Sequence, residues 1–161
     1  MSRTIIFLLV CFVSSANWGC KGSKAGESSA SYDVPEDFEL IYSRGGCKGT
    51  CPVYTLYVAA DGTVNYLGEA FVEMEGKYEK KITQEAVMAL VTSVKEAAYF
   101  EMKGKYDDPN LMDVPSSKLE CRMNGKKHVV VNRVGAPDHL IKLEEQIGEI
   151  VGKEGYSKVK E

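Results

Sequence analysis

The chain has 161 residues, 44% of them hydrophobic, with 20 basic and 23 acidic side chains and a formal charge of −3. That length supports one folded core and hardly two. The acidic balance argues against nucleic acid as a partner, and interspersed charges leave anionic lipid headgroups without a polybasic target.

Arg3 gives the N-terminus a positive start, and residues 4–13 form an apolar stretch that stops at Ser14-Ser15. A bilayer core takes about 20 apolar residues, so the stretch is too short to span and reads as a secretory signal peptide. The signal closes on Gly19-Cys20, which resembles the end of a bacterial lipobox, although Asn17 stands where an aliphatic residue is usual. That resemblance implies removal of residues 1–19 and lipidation of Cys20 as the mature N-terminus. Removal takes away Arg3 and leaves 19 basic against 23 acidic side chains, a balance of −4. The expected location is the bacterial cell envelope, anchored by lipid and extracytoplasmic, at the outer membrane facing the periplasm. The membrane is then reached through the anchor, to which each buried methylene contributes about 0.8 kcal/mol.

Residues 20–37 read as the lipidated N-terminus and a flexible tether, since Gly, Ser, Ala and charged residues leave little to bury. A single domain is expected over residues 38–153, followed by a frayed polar tail, 154–161. Phe38, Leu40 and Tyr42 alternate with polar neighbours as a first strand. Residues 52–59, rich in Val, Tyr and Thr, give a second, and Asp61-Gly62 turns it into a third over residues 64–67. Residues 70–74 and 78–82, separated by Glu75-Gly76-Lys77, continue the meander as two further strands. Thr83 is a good helix N-cap, Glu85 suits the helix dipole, and Val87, Leu90, Val91, Val94 and Ala98 make one apolar face. After a loop over residues 103–115, Asn124-Gly125 signals a second hairpin, with residues 117–123 leading in and 126–134 leading out. Pro137 opens a last helix whose Leu140, Leu143, Ile147 and Ile150 share a face, ending near Gly152 and Gly155. Strands followed by a helix, twice, with hairpins instead of crossovers, predict an α+β fold: an antiparallel sheet of five to six strands with two helices packed on it.

Three stretches also resemble a known family. Cys47-Lys48-Gly49-Thr50-Cys51-Pro52-Val53-Tyr54 is one, Asp61-Gly62-Thr63-Val64 with Tyr66 and Gly68 the second, and Tyr106 with Asp113-Val114-Pro115 the third. Together they look like the bacterial family catalogued as domain of unknown function 6438. The resemblance covers most of residues 38–151 and implies a small, often lipid-anchored protein with no assigned activity and no catalytic residue. The segment between Gly68 and Thr83, and Cys121, lie outside its pattern.

With Cys11 in the signal and Cys20 lipidated, Cys47, Cys51 and Cys121 remain, an odd number. An oxidising compartment and a glycine-rich turn favour a Cys47–Cys51 disulfide, which in a loop so short stabilises by about 2 kcal/mol. Redox chemistry is the rival. It ordinarily uses two intervening residues and a helix N-terminus, whereas three residues and a strand are found here, with Arg44 and Lys48 near enough to favour a thiolate. Zinc is a third reading, its further ligands drawn from Cys121, His128 and His139. A two-residue Asn124-Gly125 loop would pair Met123 with Lys126 and Cys121 with His128, about 5 Å apart on one face. Against that, Leu119, Cys121 and Met123 share a face, and Cys121 reads most simply as a core residue. Residues 106–110 with Asp113 concentrate oxygen ligands without the spacing of a calcium loop, and residues 45–50 lack the Gly-Lys-Thr order of a phosphate loop.

No catalytic residue, metal or cofactor is therefore assigned. The expected role is a non-enzymatic binding or interaction module for an envelope protein, a glycan or a small ligand, with Tyr54, Tyr57 and Tyr66 as candidate contributors to its face. The alternative is a thiol-redox or metal-dependent enzyme using Cys47 and Cys51.

Overall fold

Alternation of apolar and polar side chains builds the centre of the sheet. In strand β1 (Glu39–Gly45), Leu40 and Tyr42 are buried between half-buried neighbours, and β2 (Val53–Ala59) repeats the pattern with Leu56 and Val58. The computed structural model describes residues 33–160. The expected signal peptide, Cys20 and most of the expected tether lie outside the described residues. β2 turns back through a hydrogen bond from the Gly62 amide to the Ala59 carbonyl, and Asp61 accepts from both the amide and the hydroxyl of Thr63. β3 (Thr63–Ala70) and β4 (Gly76–Lys81) complete the meander.

After helix α1 (Gln84–Glu96) and a 3₁₀ turn (Tyr99–Glu101) come β5 (Lys105–Tyr106), β6 (Ser116–Met123), β7 (Lys126–Asn132), helix α2 (Asp138–Val151) and β8 (Ser157–Lys158). The sheet order is β5-β7-β6-β1-β2-β3-β4-β8. Every pairing is antiparallel except β5 with β7. The fold is α+β with two helices, but the sheet has eight strands, not five to six.

The additional strands are β5 and β8, each two residues long, too short to carry a periodic signal. β5 lies inside the expected 103–115 loop. β8 lies in the expected frayed tail, where the Val159 amide also donates to the Lys77 carbonyl. Residues 71–75 form no strand. The chain leaves β3 through Phe71, whose φ of 54° breaks the extended run. Helix α1 starts where Thr83 accepts a hydrogen bond from the Ala86 amide, and it stops before Ala98, which is left-handed at φ 48° and begins the 3₁₀ turn. Asn124 and Gly125, both at positive φ, form the tight turn between β6 and β7.

The helices cover one face of the sheet. Leu40, Tyr42, Leu56, Val58, Val64, Leu119 and Cys121 point to that face and pack with Leu90, Val91, Leu140, Leu143 and Ile147. Helix α1 begins beside the β2–β3 turn, where Gln84 donates to the Ala60 carbonyl. It ends under β6 and β7, where the Tyr99 hydroxyl donates to the Leu119 carbonyl at 2.6 Å. Helix α2 crosses the other way, from the end of β7 to β4, where the Lys80 ammonium meets the Val151 carbonyl at 2.5 Å. The end of α2 is therefore delivered to the β2–β3–β4 side of the sheet.

Candidate functional site

Tyrosines recur on this helix-facing side, one per strand: Tyr42 on β1, Tyr54 on β2, Tyr66 on β3 and Tyr78 on β4. Register lines up Tyr42, Leu56, Tyr66 and Tyr78 across the four strands, and Tyr54, two residues before Leu56, flanks that line on the same face. The Tyr54 and Tyr66 rings stack with centroids 5.5 Å apart at 28°, and Tyr42 meets Tyr54 edge-on at 6.2 Å. Tyr156, beyond the end of α2, folds back to Tyr66 with centroids 5.7 Å apart. Such offset and tilted pairs suit the ring quadrupoles.

A cleft of about 410 Å³ opens along this row. Its sheet wall is Tyr54, Leu56 and Tyr66, and its opposite wall is the last turn of α2 at Gly148 and Val151 together with Tyr156. Pro52 closes one side and the 72–74 loop another, with the charged Glu73 and Lys153 at its edge. Gly68 permits this shape: a Cβ there would lie 1.9 Å from the Met74 carbonyl oxygen, so only glycine lets the loop return so tightly over β3. At Gly148 an added Cβ would meet nothing within 4 Å, which keeps the helix side of the cleft open.

The Lys80 ammonium fixes the helix end. It donates to the carbonyls of Val151, Gly152 and Glu154 and lies 4.2 Å from the centroid of the Tyr156 ring. A cation on the orphan carbonyls of a helix C-terminus satisfies them and complements the dipole. Desolvation lowers the Lys80 pKa from its ordinary value. Burial raises the Tyr54 and Tyr66 phenols and pushes Tyr156 up to about 12, so the row is neutral at neutral pH.

Beside the cleft is a polar cluster. Ser117 donates to Glu144 at 2.6 Å, while Tyr42 and the Asn132 amide each approach the same carboxylate at 3.5 Å. The Arg44 guanidinium donates to the Tyr42 hydroxyl at 3.3 Å. Burial, then the nearby Glu144, drives the Tyr42 phenol far above its ordinary value.

Cys47 and Cys51 are joined by a disulfide, with Cα atoms 5.7 Å apart. The loop it closes is exposed, Lys48 pairs with Asp113 at 2.9 Å, and the chain runs straight through Pro52 into β2. The disulfide thus holds one wall of the cleft, and no helix N-terminus follows it to stabilise a thiolate. Arg44 turns towards Tyr42, and Lys48 towards Asp113. Cys121 stands opposite His128, as the hairpin register predicts, yet the two side chains are engaged elsewhere. The imidazole Nε2 lies 3.0 Å from the Met102 carbonyl oxygen, and burial pushes the Cys121 thiol up to about 12. His139 is exposed on α2. Among the described residues no group of three or more His, Cys, Asp or Glu converges on a point. In the Asp-rich loop the acids diverge: Asp107 to Arg133 and Lys105, Asp108 to the Asn110 amide, and Asp113 to Lys48.

Of the three tyrosines singled out from the sequence, Tyr54 and Tyr66 line the cleft and Tyr57 does not. Tyr57 points to the opposite face, where its hydroxyl lies 3.5 Å from Glu39. Sequence reasoning missed Tyr156, Lys80 and Glu144. The first lies in a polar tail with no periodicity, and the other two meet their partners only through long-range folding.

The family model described as Domain of unknown function (DUF6438) matches residues 38–151. The match takes in the disulfide loop, the tyrosines of β1 to β4 and the helix wall of the cleft, and stops before Tyr156 and β8. No curated protein matches the chain.

Proposed function

From a chain that belongs to the DUF6438 family, a membership that brings no activity with it, we propose a non-enzymatic binding module whose site is the tyrosine-lined cleft. The observation that carries this reading is the row Tyr54–Tyr66–Tyr156 facing Val151 across about 410 Å³. Ligand sites are characteristically concave, mostly apolar and within roughly 300–1,000 Å³. Here three aromatic rings offer area while Lys80 and the disulfide hold the walls in place, so little ordering is left for the ligand to supply. The occupant is a small ligand, a sugar ring of a glycan, or a side chain of an envelope protein.

Gly148→Leu tests the cleft. It removes a helix-interior glycine, worth about 1 kcal/mol in propensity, and fills the open wall. In a fragment screen followed by protein NMR, shifts should cluster at Tyr54, Tyr66 and Val151 in the natural sequence and vanish in Gly148→Leu at undiminished thermal stability. Shifts spread over the outer face of the sheet, or unchanged in the variant, would sink the proposal.

The module is displayed on a lipid tether from Cys20 at the bacterial cell envelope, extracytoplasmic and on the periplasmic face of the outer membrane. The support is the short apolar leader ending in Gly19-Cys20. Cys20→Ala protein should appear in the soluble envelope fraction, and its continued sedimentation with membranes would remove the anchor from the account.

A further inference from the structure

Arg44 is paired directly with Tyr54 across β1 and β2, which places both side chains on the helix-facing side, about 5 Å apart at Cβ. Tyr54 is a wall of the cleft. The guanidinium therefore stands next to one end of the aromatic row, separated from the apolar space by a single ring.

Its bonding is incomplete. A guanidinium carries five N–H donors in a fork that matches a carboxylate. Among the described residues Arg122 pairs with Glu39 at 3.4 Å, and Arg133 with Asp107 at 2.8 Å plus the Leu111 carbonyl at 3.0 Å. Arg44, half-buried, donates among the described residues only to the Tyr42 phenol, at 3.3 Å. Glu144, whose charge acts on it, forms no ion pair with it among the described residues, and its oxygens are taken by Ser117, Tyr42 and Asn132. Glu144, one hydroxyl away, favours the charged guanidinium, yet most of the N–H donors of Arg44 have no partner among the described residues, and an incoming carboxylate supplies one.

Resting on the cleft as a binding site, we propose that its ligand is a small amphipathic carboxylate: the head is held by Arg44, and the apolar body lies along Tyr54 and Tyr66 against Val151. One feature favours a single negative charge over a dianionic phosphate. The Tyr42 hydroxyl links Arg44 at 3.3 Å to Glu144 at 3.5 Å, so a carboxylate already sits one hydroxyl away from the head position. A second full charge on the ligand would be repelled by it. The body is apolar because Leu56, Val72, Met74 and Val151, together with the three tyrosines, make up most of the lining.

The test holds the tail constant and changes the head. Protein carrying Cys20→Ser, so that no acyl chain of its own competes, is titrated with decanoate, decanol, decyl phosphate and decyltrimethylammonium below micelle concentrations, by NMR and calorimetry. Decanoate should bind about tenfold tighter than decanol, as a charge-assisted bidentate pair gives, with decyl phosphate weaker than decanoate and the ammonium weakest. Arg44→Gln should bring decanoate down to the affinity of decanol and leave decanol unchanged, and Arg44→Lys should keep part of the preference. Equal binding of decanoate and decanol, a preference that survives Arg44→Gln, or tighter binding of decyl phosphate overturns the carboxylate head while leaving the cleft as a site. If none of the four shifts Tyr54, Tyr66 or Val151, the head assignment and the cleft reading fall together.

Discussion

Tyr99 and Tyr66 both pack between the sheet and its helices, and their surroundings differ in every respect that matters. Tyr99 has no exposed surface, its hydroxyl donates to the Leu119 carbonyl at 2.6 Å, and His128 meets its ring at 5.3 Å. Tyr66 is half-buried, bonds nothing through its hydroxyl among the described residues, and stacks on other tyrosines. The cause is the covering helix. Helix α1 presents Val87, Leu90, Val91 and Val94 as a stripe over its part of the sheet, where all four are buried. Helix α2 ends at Val151, with Gly148 in its last turn, so the sheet beneath Tyr54 and Tyr66 is only partly roofed. Close packing leaves no room for a ligand, and a helix that stops short leaves a cleft.

The largest expected effect breaks the closed side. Leu119 is fully buried in β6, and Leu119→Ala should cost about 2–5 kcal/mol in denaturant unfolding through lost burial and the cavity left behind. Affinity for a cleft ligand should not change in the fraction that stays folded. A loss below about 1 kcal/mol would mean that this side is not the close-packed region described here.

Much of the closed side is legible in the sequence alone. Thr83 as N-cap, the α1 stripe from Val87 to Val94, the Asn124-Gly125 turn and the Cys121–His128 register all follow from neighbours within a few residues, whereas Ala98, expected on that stripe, lies exposed beyond the helix end. The open side is legible only in part. Tyr54 and Tyr66 stand out on their strands, but Tyr156 reaches them from a segment that reads as polar tail. Glu144 meets Tyr42 across 102 residues of sequence. Chain-local patterns encode elements and turns, whereas a cleft between a helix end and a sheet depends on where α2 stops over β4, which no local spacing records.

A middle-sized effect is expected where that helix stops. Lys80→Met keeps the aliphatic stem but removes the ammonium from three carbonyls at 2.5, 2.9 and 2.9 Å. About 1 kcal/mol should be lost, since the carbonyls are partly open to water and find replacement donors there. The sharper readout is local: amide exchange at Val159, which donates to Lys77, should accelerate, while amides of β6 and β7 keep their protection. Uniform acceleration across the sheet would show that the end of α2 and β8 are not a separable, less stable part of the domain.

The smallest effect is expected at Tyr57, and its position on the outer face is why. On a strand, side chains alternate between faces, so Tyr54 and Tyr57, three residues apart, cannot both point towards the helices. Leu56 and Val58 occupy the inward positions beside Tyr57, and Tyr57 itself contacts Glu39 at 3.5 Å on the side that neither helix covers. Desolvation and then Glu39 raise its phenol pKa, which reflects neighbours on the outer face and no contact with the cleft. Tyr57→Ala should therefore change stability by no more than about 1 kcal/mol, the span of strand propensities, and leave cleft binding untouched. A binding loss comparable to that of Gly148→Leu would place the recognition surface on the outer face and reverse the contrast between the two sides of the helix-facing layer.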